Sequence, residues 1–190
     1  VNGSELLIGT QTDAFFVNIE TGEQIAKVTL GCEMSDITGF AVNSDKTLAY
    51  FGGRNGYIGA VNIKTHEAIK SLVVEKDNPN LLYEPVVAPN GSVFAGSKNG
   101  SVYNVKGDLS AVNWVHVHTG KAVGNTYNYS HPCVDTENRF YITAGQPTNT
   151  SYIFDANGNV LDSWSYTGAT AAAQRQMGGN NYLDLSLIHI

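Results

Sequence analysis

Short runs of alternating apolar and polar residues, closed by glycine and asparagine, follow one another along most of this chain. The clearest is N-G-S-V-F-A-G-S-K-N-G-S-V-Y-N-V-K at 90–106: an apolar run, a glycine turn and a second alternating run. A period of two puts successive side chains on opposite faces of a strand. Gly and Asn accept the positive φ of tight hairpin turns. The pattern predicts antiparallel strands and almost no helix. The one ambiguous stretch is 169–176, whose three consecutive alanines suit a helix start. Its place after the strand holding Trp164 favours a further strand instead.

The same phrase recurs about four times. Aligned on the residue that ends the second run, the copies fall at Asn18, Asn62, Asn104 and Asp155, with spacings of 44, 42 and 51 residues. The first copy predicts strands at 5–8, 14–19 and 24–30. The second adds the strand that the first lacks, with runs at 39–42, 47–51, 57–63 and 67–74. The third has 84–88, 92–95, 101–106 and 112–117, and the fourth 131–135, 139–143, 151–155 and 160–166. A repeat of ~40–50 residues with four strands is the period of a propeller blade. A sheet apolar on both faces must stack on sheets of its own kind, and stacking around an axis leaves only short protected edges. A β-sandwich would not share so long a common period. The expected fold is therefore all-β, a partial β-propeller of about four four-stranded antiparallel blades. The repeats run over about 2–36, 37–80, 81–127 and 128–168, and a fifth starts at 169–184.

Composition narrows the class. The 20 Gly, 10 Tyr, 7 Phe and 2 Trp among 190 residues suit short strands and turns. A net charge of −6, with no basic cluster, argues against nucleic acid. No apolar run reaches the ~18–20 residues that span a bilayer as a helix. Two cysteines, Cys32 and Cys133, are too few for a disulfide framework.

The unit G-S-x-h-h-x-G-x-x-x-G-x-h-h-x-h, then a T-G or N-G turn and a strand with Trp four residues before Gly, resembles the repeats of PQQ-like propellers, the quinoprotein alcohol dehydrogenase-like superfamily. The best matches are 91–105 and 153–168, where Asn157-Gly158 and Trp164-Ser165-Tyr166-Thr167-Gly168 carry the motif. Copies one and two place Val28 and Leu72 near the Trp site. Copy three keeps Trp114, with a drifted turn at 107–110. The resemblance implies six to eight blades in a closed ring, so the chain is expected to be a fragment. The last six residues, 185–190, read as a translated adapter tail. It further implies an extracytoplasmic setting and a non-enzymatic binding scaffold, or alternatively part of a quinone-dependent oxidoreductase whose active-site residues lie in other blades. Trp114 and Trp164 are expected to fill gaps between blades and to donate their N–H to backbone carbonyls.

Quinoprotein chemistry needs a stacked cofactor, Ca²⁺ on carboxylate and amide oxygens, and a carboxylate base. The sequence shows no adjacent Cys-Cys pair and no acidic cluster at inner-strand ends, so no cofactor is expected. His116 and His118 share one side of a strand and would need His131 to make a metal site; a solvated or hydrogen-bonded strand-end role is the simpler reading. Cys133, matching Ala41 and Val86, reads as a small buried hydrophobe, and a disulfide to Cys32 would have to bridge blades. Asp13, Asp77, Asp135 and Asp162 read as unpaired carboxylates used for local turns.

In a four-stranded blade, the connections before the first strand and between the second and third leave from the same end. That end gathers 32–38, 75–83 and 118–130 with Arg54, Lys98 and 145–150, while the opposite end is expected to carry only tight turns. Uneven loops on a regular scaffold usually carry recognition. The candidate ligand-binding residues are Arg54, Tyr83, Glu84, Lys98, Tyr129 and His131, with Tyr127 as further contact surface. The expected partner is a protein or a small molecule on that end.

Overall fold

A computed structural model describes residues 3–35, 38–74, 82–98, 100–117, 132–144 and 150–165. Tyr127, Tyr129, His118, His131, Asp77, the fifth repeat and the tail lie outside the described residues.

Among the described residues, fifteen strands form four antiparallel sheets. The first holds β1 (Glu5–Gly9), β2 (Asp13–Asn18) and β3 (Gln24–Thr29). The second holds β4 (Ala41–Val42), β5 (Leu48–Gly52), β6 (Tyr57–Asn62) and β7 (Glu67–Val73). The third holds β8 (Val86–Val87), β9 (Val93–Gly96), β10 (Ser101–Val105) and β11 (Val112–Val117). The fourth holds β12 (Cys133–Val134), β13 (Phe140–Ala144), β14 (Thr150–Phe154) and β15 (Val160–Ser165). Each sheet is an up-and-down meander in chain order. The short first strands of sheets two to four lie side by side, β4 by β8 and β8 by β12. This is a partial β-propeller, with one three-stranded and three four-stranded blades among the described residues.

The two-residue period explains the stacking. Ala49 and Phe51 of β5 pack toward blade 1 with Val61 and Ile63, while Tyr50 between them packs toward blade 3. In β9, Val93 and Ala95 face blade 2, and Phe94 faces blade 4. Neighbouring residues of one strand thus feed two different interfaces, which is why the blades read as apolar on both faces. The interface between blades 3 and 4 is the most aromatic. Phe94 stacks on Phe140 at 4.5 Å between centroids and 6° between planes, and Trp114 meets Phe94 edge-on at 5.6 Å.

The hairpin turns between third and fourth strands follow the expected side chains. Asn18 Oδ1 accepts the N–H groups of Glu20 and Thr21, Asn62 Oδ1 those of Lys64 and Thr65, and Asp155 Oδ1 those of Asn157 and Asn159. A short side-chain acceptor two to four residues upstream fixes such turns locally.

Blade 3 departs from the sequence alignment. Asn104 does not end its strand. Its side chain is buried, donating to Ser92 Oγ and accepting from Asn113 Nδ2. The turn closes two residues later, where Lys106 N donates to the carbonyl of Ala111, as Asn18 N does to Glu23 and Asp155 N to Asn159. Lys106 is thus the counterpart of Asn18, Asn62 and Asp155, and the spacings become 44, 44 and 49 residues. In this register Val102 pairs with His116 as Ser151 pairs with Trp164, Ala14 with Val28 and Ile58 with Leu72. The residue at the shared outer-strand site of blade 3 is therefore His116, and Trp114 precedes it by two on the same face.

Candidate functional site

The two ends of the blades are built differently. At the end carrying the first-to-second and third-to-fourth strand turns, side chains close their own loops. Asn43 Oδ1 accepts from Thr47 N and Leu48 N, and Asn90 Oδ1 from Ser92 N. At the other end the backbone itself is knitted. Leu30 N donates to Thr12 O and Met34 N to Gln11 O, which ties the segment leaving blade 1 to the β1–β2 tip. The same segment then holds the β5–β6 tip of blade 2, with Ser35 N donating to Gly52 O and Arg54 N to Glu33 O. One blade on, Leu82 N donates to Gly53 O and Tyr83 N to Gly96 O. The two entering segments described, at 33–35 and 82–83, thus each bridge the hairpin tip behind them and the tip of their own blade.

Glycines make these approaches possible. A Cβ on Gly52 would stand 2.4 Å from Tyr83 O and 2.6 Å from Leu82 O. One on Gly9 would stand 2.5 Å from Met34 Sδ. Met34 and Leu82 are buried beneath the two segments.

Between the first two tips lies a cavity of about 190 Å³, lined by Gly9, Gln11, Met34, Ser35, Thr38 and Arg54 among others. Met34 gives it an apolar floor. Thr38 Oγ1 accepts from Gly52 N at 2.9 Å, and Gln11 Nε2 donates to Glu33 Oε2 at 3.2 Å. Backbone, hydroxyl, amide and guanidinium groups converging on an apolar floor suit a small polar ligand or an extended peptide.

The structure places the candidate residues as follows. Arg54 sits on the β5–β6 tip and lines the cavity. Tyr83 and Glu84 lie on the segment entering β8. Burial pushes the Tyr83 phenol up to about 12. The Glu84 carboxylate covers Gly39, its Oε1 lying 2.8 Å from where a Cβ there would be. Lys98 is half-buried on the β9–β10 tip. These four share one end of the array, but the structure gathers only Arg54 of them into the cavity. Sequence reasoning brought the connection 32–38 to this end without singling out Met34, Ser35 or Thr38, and it missed Gly9 and Gln11. The available signal was the pair of large apolar residues, Met34 and Ile37, inside a connection that also carries Glu33, Ser35 and Asp36.

Several expectations need correction. The connections described at the opposite end are tight turns, as expected, but they frame a feature the sequence did not predict. The ends of β4, β8 and β12 surround a more open depression of about 380 Å³, lined by Val42, Val87 and Val134 with Ser44, Asp135 and Thr136. Asp135 takes turn N–H groups as expected, but it and Asp13 each also meet a cation. Lys27 Nζ lies 3.3 Å from Asp13. Asp135 is 8% exposed; it accepts from Arg139 Nε at 2.6 Å, from Tyr141 OH at 3.0 Å and from two turn N–H groups. Burial alone would raise the Asp135 pKa, but these hydrogen bonds, Arg139's foremost, hold it below the usual carboxylate range.

His116 packs its ring on Phe154 at 4.9 Å and Tyr152 at 5.3 Å, so it belongs to the blade 3–4 interface. No group of three or more possible metal ligands occurs among the described residues. Cys32 and Cys133 are both free thiols. Burial pushes each up to about 11, opposed at Cys32 by a hydrogen bond to Ser71 and reinforced at Cys133 by the Asp135 charge. Such thiols are poor nucleophiles.

Trp114 Nε1 donates to Ala156 O of blade 4 at 3.0 Å, and a Cβ on Gly158 would strike its ring. Tyr50 OH donates to Gly107 O of blade 3 at 2.7 Å. Gly107 and Ala156 follow Lys106 and Asp155, so the same carbonyl is satisfied in two blades by different aromatics. Trp164, on the outer face of the last described blade, is 46% exposed.

No helix among the described residues is long and apolar enough to cross a membrane. No protein-family model matches the sequence, and no curated protein does. Among solved structures, the crystal structure of BamB from Moraxella catarrhalis matches with a TM-score of 0.66 and 15% sequence identity. The match covers 90% of this chain and 50% of that one, so the chain spans about half the length of that structure. At this identity the likeness is one of fold: the chain is similar in architecture to a β-propeller.

Proposed function

We propose that this chain is part of a non-enzymatic, extracytoplasmic propeller scaffold with repeats of the PQQ-like type. It binds an extended peptide segment of a protein partner at the end where the entering segments and hairpin tips interlock. The observation that carries this reading is the cavity between the blade 1 and blade 2 tips. It combines a fixed backbone frame with convergent polar groups from Gln11, Ser35, Thr38 and Arg54 over the Met34 floor. Rigid scaffolds that present irregular loops at one end commonly use them for recognition. The buried, high-pKa thiols and the ion-paired Asp135 offer no nucleophile or free base, which favours binding over chemistry. The similarity to the BamB propeller supports the scaffold architecture, and the repeat motifs support the PQQ-like assignment and the exported setting.

The test is a panel of immobilised extended peptides probed with the intact chain. Arg54→Glu is expected to weaken the best binder about tenfold, equivalent to about 1.4 kcal/mol. Ser44→Glu, at the opposite end, is expected to leave it unchanged. Equal losses from both variants, or dye-linked alcohol oxidation after adding a quinone and Ca²⁺, would overturn the reading.

A further inference from the structure

The two entering segments hold equivalent places but carry different side chains. Ser35 N donates to Gly52 O and Tyr83 N to Gly96 O, each at the end of the second strand of its own blade. The residue before each, Met34 and Leu82, bridges the residue after that glycine, Gly53 and Ser97. At position 83 the chain supplies an aromatic ring, which packs against the core between blades 3 and 4. At position 35 it supplies only a hydroxymethyl group, and the cavity of about 190 Å³ lies beside it.

Much of the polar lining of that cavity is already engaged. Thr10 Oγ1 donates to Asp13 O at 3.0 Å, and Gln11 Nε2 donates to Glu33 Oε2. Thr38 Oγ1 donates to Gly39 O at 3.1 Å and accepts from Gly52 N. A ligand rich in hydrogen-bonding groups would have to break these bonds. Among the described residues the mouth holds the Glu33 carboxylate, bonded by Gln11, as well as the Arg54 guanidinium, which weighs against an anionic ligand. What the cavity has to offer is its thioether floor and its guanidinium wall. Gly9 lets the floor rise under bare backbone: a Cβ there would stand 2.5 Å from Met34 Sδ and 2.9 Å from Phe40 Cε2. Sulfur and guanidinium both favour aromatic rings. The size suits one ring, since an apolar protein cavity of about 150 Å³ admits benzene.

We propose that this cavity seats one aromatic side chain, Tyr or Phe, of the extended peptide, with its ring on the Met34 thioether and against the Arg54 guanidinium. The inference rests on the peptide-binding reading above and names the residue that anchors the peptide. A ring entering there supplies at blade 2 the kind of group that Tyr83 supplies at blade 3 from within the chain. A single aromatic anchor in a pocket is the form that binding hot spots commonly take.

The test is fluorescence anisotropy of Thr-Ser host peptides that differ in one central residue, titrated with the intact chain. Tyr and Phe are expected to bind about thirtyfold more tightly than Ala. They are expected to bind about tenfold more tightly than cyclohexylalanine, which resembles Phe in size but has no π face. Met34→Leu keeps the volume and removes the sulfur. It is expected to cut the ratio of Phe to cyclohexylalanine affinity about threefold. Arg54→Gln, on a hairpin tip, is expected to cut the same ratio without altering the core, so the measurement does not depend on the Met34 variant folding. Equal affinity for Phe and cyclohexylalanine, or a ratio that neither variant moves, overturns the aromatic anchor and leaves peptide binding standing. A tighter complex with Leu or Glu at the centre also overturns the anchor alone. Absence of binding by every peptide overturns the peptide reading, and this inference with it.

Discussion

The two ends of blades 1 to 3 solve the same problem, how to end a strand, by opposite means. At the turn end, Asn43, Asn90 and Asp155 satisfy backbone N–H groups within five residues of themselves. At the interlocked end, N–H groups at 30, 34, 35, 82 and 83 find carbonyls 13 to 29 residues away, some of them on the neighbouring blade. Local closure makes a turn that folds by itself and tolerates change. Non-local closure makes each blade's end depend on the next, so damage there spreads. The contrast also separates what a sequence displays from what only a fold reveals.

Leu82→Ala tests the interlocked end most severely. Leu82 is wholly buried beneath the segment that bridges blades 2 and 3. The expected cost is about 3–4 kcal/mol, read as a shift in chemical denaturation. Amide exchange should accelerate in both β5–β6 and β9–β10; acceleration confined to one blade would break the comparison. Gly52→Ala should cost about 2–3 kcal/mol, since its Cβ meets backbone oxygens, which cannot turn aside as a side chain would. A near-neutral result would mean that the entering segment is free to shift.

The turn end should respond less. Asn43→Ala removes one acceptor shared by two N–H groups and should cost about 1 kcal/mol. Faster exchange should stay within β4 and β5. The smallest expected effect is a pH dependence. Asp135 has a folded-state pKa below its unfolded value, so its contribution is present above about pH 4 and is lost as pH falls through the folded pKa. Asp135→Asn should flatten the acid limb of a stability–pH profile. An unchanged slope would show that Arg139 and Tyr141 do not favour the charged form.

The strands were legible because their two-residue period is a local property, and so were the turns closed by Asn18, Asn62 and Asp155. Blade 3 was misread by two residues. Asn104 looks like the turn acceptor of its siblings, but burial commits its amide to Ser92 and Asn113, and Lys106 takes the turn position without an accepting side chain. That slip passed to Trp114, which carries the expected hydrogen bond to Ala156 from a position two residues before the shared site. Asp135 was read as a turn residue; its ion pair with Arg139, four positions on across a tight turn, needed the hairpin geometry to be seen. Of the cavity, Arg54 and the connection 32–38 were anticipated at this end, but only Arg54 as a named contact residue. Its other walls come from segments that carry no motif and meet only because Met34 and Ser35 bond to tips on two blades.

The interlocked segments have a mechanical consequence. Every backbone link between successive hairpin tips described at 30–35 and 82–83 lies on one rim of the array. At the opposite rim, neighbouring blades are joined by contacts such as the Asn90 N–H to the Asn138 side chain, at 2.8 Å. A load applied across the array would therefore spread the blades like a fan, with the stitched rim as the pivot and the valine-lined mouth as the side that widens.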